Sequence, residues 1–70
     1  MKKNIRVELV LVGTSNWRYF TLLETSSFSE AENLLHLLNK NGAAAYIKER
    51  TGMGPWELQD QTDAYYKLVQ

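Results

Sequence analysis

The chain has 70 residues with 8 basic and 8 acidic side chains, one histidine and no cysteine. A chain this short makes one domain, residues 1–70, and buries roughly 60% of the surface its unfolded form exposes. Disulfides and a histidine-rich metal site are closed to it as added support, which leaves self-association or a partner as the natural remaining route. Zero net charge lacks the basic surplus of a dedicated nucleic-acid binder, and the apolar run Leu9–Val12 is far shorter than the ~20 residues of a membrane span. Nucleic acid and membrane are therefore not expected partners.

Lys2, Lys3 and Arg6 form a small basic cluster, read as the solvated entrance to a strand. The Met-Lys-Lys start has the charge of a secretory signal, but Glu8 interrupts its apolar core and no small-residue cleavage site follows. A cytoplasmic, unprocessed protein is expected.

Ile5, Val7, Leu9 and Leu11 alternate with Arg6, Glu8, Val10 and Val12, the period of a strand. The second half of this strand is apolar on both faces, which places it centrally in a sheet. Gly13-Thr14-Ser15-Asn16 supplies turn chemistry, and the aromatic and β-branched run Trp17–Leu23 returns as the second arm of a hairpin. Two overlapping Ser-x-x-Glu boxes, Ser27 with Glu30 and Ser29 with Glu32, then offer a helix start. Phe28, Ala31, Leu34, Leu35 and Leu38 fall on one face of that helix, opposite Glu32, Asn33, His36 and Lys40. Gly42 marks its end as a left-handed C′ residue. Ala43–Arg50 reads as a third strand, with Ala45 and Ile47 on one side and Tyr46 and Lys48 on the other. Gly54 as N-cap, Pro55 at the first helical position and Glu57 at the third predict a second helix over 55–69. An edge strand over Ala64–Val69 is the alternative. The expected fold is an α+β two-layer sandwich of order β-β-α-β-α, its helices packed on one face of a mainly antiparallel sheet.

No motif carries reaction chemistry. Val12-Gly13-Thr14-Ser15 lacks the spaced glycines, the Lys-Ser/Thr pair and the following helix of a phosphate loop. Gly52-Met53-Gly54 lacks the third glycine of a dinucleotide fingerprint and reads as a connector. His36 lies one turn after Glu32, where a surface pairing is expected rather than a general base. Ser26, Ser27 and Ser29 read as caps, and the acidic pairs Glu30/Glu32 and Asp60/Asp63 as solvated groups near helix starts. An enzyme is not expected, nor a metal or cofactor.

The aromatic residues carry more information. Trp17 and Tyr19 share one face of the second strand while Phe20 and Leu22 share the other. Helices covering a single face leave Trp17, Tyr19 and Tyr46 outward, unless the second helix covers them as core. Exposed aromatic and aliphatic patches on small domains mark interaction surfaces. Trp56 beside Pro55 is a further candidate anchor, and Leu37 borders the helix stripe.

Phe28–Ile47, with its Ala, Leu and Gly spacing, is similar in outline to the helix–Gly–strand unit of sporulation-related peptidoglycan-binding repeats. The similarity covers less than a third of the chain and rests on general fold signals, so no binding residue is transferred. The expected function is that of a small non-catalytic module that binds another protein, and also a second copy of itself, through Trp17, Tyr19, Tyr46, Trp56 and Leu37. Single-stranded nucleic acid stacked on the sheet aromatics is the alternative.

Overall fold

The alternation beginning at Ile5 becomes β1 (Ile5–Val12) in a computed structural model that describes residues 4–70. Lys2 and Lys3 of the basic cluster lie outside the described residues. β1 pairs on one side with β2 (Trp17–Thr25) and on the other with β3 (Ala45–Glu49), so it is central as its apolar faces require. The turn between β1 and β2 is closed by Gly13 N–H donating to Asn16 O at 2.8 Å.

Ser27 is the residue that starts helix α1 (Phe28–Lys40). Its Oγ accepts from Glu30 N–H at 3.3 Å, while its own N–H donates to Thr25 Oγ1 at 2.9 Å. The Ser27 box is therefore the one used, and the hydroxyl of Thr25 takes the place of its reciprocal glutamate arm. Gly42 follows the helix at φ 77°, the left-handed conformation expected of it. Ala31 and Leu35 of α1 pack on Ile5 and Val7 of β1 and on Ala45 and Ile47 of β3, with Leu23, Leu34 and Leu38 around them. Phe28, expected on the same stripe, stands exposed at the margin of the helix.

The C-terminal third differs from its expected form. Residues 55–69 are not one helix. Glu57–Gln61 is a strand, β4, paired antiparallel with β3, and Asp63–Val69 is a short helix, α2. Thr62, not Gly54, caps that helix. Its buried Oγ1 accepts from Ala45 N–H at 2.9 Å and Tyr65 N–H at 3.3 Å. One hydroxyl thus ends β4, starts α2 and ties both to β3. The sheet order is β2-β1-β3-β4 and the element order β-β-α-β-β-α, an α+β fold with one more strand than expected.

Among the described residues only α1 covers the face that carries Ile5, Val7 and Ile47. α2 begins beside the end of α1, where Asp63 N–H donates to Asn39 Oδ1 at 2.9 Å. Its Tyr65 ring then meets Tyr46 on the opposite face, at 4.8 Å between centroids. The two helices therefore do not share one face. No helix among the described residues is long and apolar enough to cross a membrane.

Candidate functional site

The face turned away from α1 is built by strand alternation. Arg6, Glu8, Val10 and Val12 of β1 lie there, and antiparallel register brings Tyr46 and Lys48 of β3 beside Glu8 and Arg6. On the other flank Tyr19 pairs with Val10 and Trp17 with Val12. A bulge opposite Val7 and Glu8 leaves Leu22 without a partner, so the two parts of β2 use opposite alternations. Trp17, Tyr19 and Thr21 consequently share a face with Glu24, and Leu23 points to the core.

At the centre of this face Glu8 is buried and fully engaged. Its carboxylate accepts from Thr21 Oγ1 at 2.7 Å and Tyr46 Oη at 2.8 Å, and Lys48 Nζ lies 3.2 Å away. Burial pushes the carboxyl upward, but the bonds from Thr21, Tyr46 and Lys48 together outweigh it and hold Glu8 below its ordinary pKa. Burial, and then the same contact with Glu8, raises the Tyr46 phenol far above its usual range. Burial and the neighbouring Tyr19 raise Tyr65 as well.

Trp56 occupies the opposite end of the same face. Arg6, Lys48 and Arg50 approach its ring, at 4.7, 5.0 and 4.6 Å from the centroid. Glu24 lies 2.8 Å from Arg6 Nε and Glu8 accompanies Lys48, whereas Arg50 has no carboxylate at ion-pair distance among the described residues. Trp56 is thus a half-buried platform held by cations rather than a projecting anchor.

Beyond the bonded part of β3 the hairpin continues alone. β1 pairs with β3 from Ile5 to Leu9, and at the Leu9 end the last bond runs from Val10 N–H to Ala44 O. Leu11, Val12 and Trp17 lie past that point, and with Phe20, Tyr19 and Leu22 just before it they are all exposed, Leu11 and Phe20 on one flank and Val12, Trp17 and Tyr19 on the other. Tyr19 is 52% exposed and Trp17 38%, so α2 leaves both uncovered. Of the residues singled out from sequence, Trp17, Tyr19 and Tyr46 come together on one face, and Trp56 joins them at its far end. Leu37 does not: it stands 60% exposed on α1, which packs against the other face. Glu8, Thr21, Lys48 and Tyr65 were not anticipated. A glutamate within the otherwise apolar Val7–Val12 was the available signal, because a buried charge requires partners.

A shallow cleft of about 200 Å³ lies between α1 and β4, lined by Glu32, Leu35, His36, Asn39, Asp60 and Gln61. Here His36 Nε2 sits 4.0 Å from Glu32, the expected surface pairing. The neighbouring Asp60 carboxyl, then burial, raises the Glu32 carboxyl. The carboxylates that meet are therefore Glu32 and Asp60, not neighbours in sequence. Among the described residues no group of three or more His, Cys, Asp or Glu side chains is placed to hold a metal ion. No family model matches the chain, and neither a curated protein nor a solved structure matches it. The similarity of Phe28–Ile47 to peptidoglycan-binding repeats therefore stays one of outline.

Proposed function

We propose that the chain is a small, non-catalytic interaction module of the cytoplasm that binds another protein through the β1–β2 hairpin and the aromatic face continuous with it. The observation that carries this reading is the hairpin itself, apolar on both flanks and projecting past the rest of the sheet. Water-exposed apolar surface of this kind is stabilised by a covering partner. The aromatic rings of Trp17 and Tyr19 add contact area at low conformational cost.

Trp17→Ser and Tyr19→Ser are expected to abolish capture of the partner in a tagged pull-down while changing folding stability by about 1 kcal/mol or less, as for other exposed positions. Thermal melts of the same variants provide the control. Loss of folding without a separable binding defect would show that these side chains are core. A second reading is favoured by Trp56 among three cations, since an aromatic platform with nearby positive charge can stack a base and hold its phosphate. Salt-sensitive quenching of tryptophan fluorescence by a single-stranded oligonucleotide would favour it over the first.

A further inference from the structure

The two edges of the sheet are unlike. β4 is five residues long, preceded by Pro55, kinked opposite Ile47 and Lys48, and carries Glu57 and Asp60; Asp60 Oδ1 also accepts the N–H of Gln61 at 2.8 Å. Each of these features discourages addition of another strand. β2 has nine residues; its bulge at Leu22 and its Glu24 lie in the second half, and the stretch Trp17–Thr21 before them is uninterrupted, with Arg18 as its one charged side chain. It is the open edge.

The direction of its backbone follows from the hydrogen bonds. Val10 N–H donates to Ala44 O beside β3, while Gly13 and Asn16 bond to each other across the turn. In an antiparallel ladder these two facts fix the alternation. Arg18 and Phe20 bond to β1, and Trp17, Tyr19 and Thr21 aim their N–H and C=O groups at the open edge.

From this edge we propose that the partner is a second copy of the chain, joined by antiparallel pairing of β2 with β2 about a two-fold axis at Tyr19. The proposal rests on the interaction-module reading and names its partner. Outward groups must meet outward groups, which leaves few registers. A centre at Arg18 would set two guanidinium groups directly opposite each other. A centre at Phe20 would place Trp17 opposite Leu23, across the bulge at Leu22. Only the centre at Tyr19 runs from Trp17 to Thr21 without interruption and separates the like charges. In it Tyr19 exchanges both backbone bonds with Tyr19 of the second copy, and Trp17 does so with Thr21. Arg18 comes to lie opposite Phe20, cation against ring. The axis is perpendicular to the sheet, so both α1 helices lie on one side of a continuous eight-stranded sheet, with Arg18 and Phe20 of each copy between them. The interface is isologous and closes at two copies.

Sedimentation equilibrium of the full chain is expected to give twice the chain mass, and Tyr19→Lys, which sets two ammonium groups at the axis, to give the chain mass with an unchanged circular dichroism spectrum. The natural absence of cysteine allows the register to be read directly. When Arg18→Cys and Phe20→Cys variants are mixed and oxidised, the mixed 18–20 disulfide is expected to exceed either symmetric one, because directly opposed non-bonded positions fall within disulfide reach. This second measurement decides if Tyr19→Lys fails to fold. A monomeric wild-type chain, a dimer unaffected by Tyr19→Lys, or a predominance of symmetric disulfides would overturn the proposal. A monomer whose capture of another protein is lost in Tyr19→Lys would overturn self-pairing and leave the interaction-module reading standing. A monomer that unfolds on the same substitution would overturn both.

Discussion

Ile47→Ala is expected to leave the protein largely unfolded at room temperature. Ile47 is fully buried, at the point where β3 meets Val7 of β1 and the Ala31–Leu35 face of α1. Truncating such a side chain costs about 2–5 kcal/mol, from lost transfer energy and the cavity left behind. A domain of this size has about 3–5 kcal/mol in total. The substitution therefore removes most or all of it. A urea titration followed by circular dichroism reads the effect as loss of the cooperative transition, and a midpoint close to wild type would place the core elsewhere. Leu37→Ala, on the exposed side of α1, should move the midpoint little.

The second large effect is expected at Glu8. Glu8→Ala withdraws the acceptor for Thr21 and Tyr46 and the counter-charge of Lys48. Removing one member of a buried pair costs about 3–5 kcal/mol. Here the low end, about 3 kcal/mol, is expected because Lys48 retains some contact with water. Glu8→Gln keeps the shape and one carbonyl acceptor, and should cost about 1–2 kcal/mol.

The pH dependence has a definite sign. The folded-state pKa of Glu8 is depressed. Its contribution is thus fully present above the ordinary carboxylate range and is lost as pH falls through the folded value. Glu32 acts in the opposite sense. Its pKa is raised, chiefly by Asp60, so its contribution is present at low pH and is lost as pH rises through the folded value. Urea midpoints measured from acid to neutral pH should therefore show a shallower acid limb for Glu8→Gln than for wild type. An unchanged acid limb would mean that Glu8 does not hold its three partners in solution.

Local signals in the sequence were strong where side chain and backbone act within a few residues. Ser27, Gly42 and the Gly13–Asn16 turn each place an element boundary, and period-two alternation puts Ala45 and Ile47 on the core side of β3. β4 was illegible because Glu57-Leu-Gln-Asp-Gln has neither β-branched nor aromatic residues; it is a strand because β3 offers it hydrogen bonds and Thr62 anchors its end. Pro55 and Glu57 imitate a helix start, while the working cap lies several residues later. In the site, alternation alone joined Trp17 to Tyr19. It could not foresee the bulge at Leu22, which turns Leu23 inward although Leu23 and Trp17 have the same parity. The Glu8 network was hidden for a different reason. Its members are 13 and 38 residues apart in sequence and meet only once the β1–β2 and β1–β3 registers are set.

Amide hydrogen exchange followed residue by residue, at low and high protein concentration, tests the role of the β2 edge most directly. Arg18 and Phe20 should be protected at both concentrations through their bonds to β1. Trp17, Tyr19 and Thr21 should exchange freely in dilute solution and become protected as concentration rises. Rapid exchange of those three amides at every concentration would contradict pairing of this edge with a second copy.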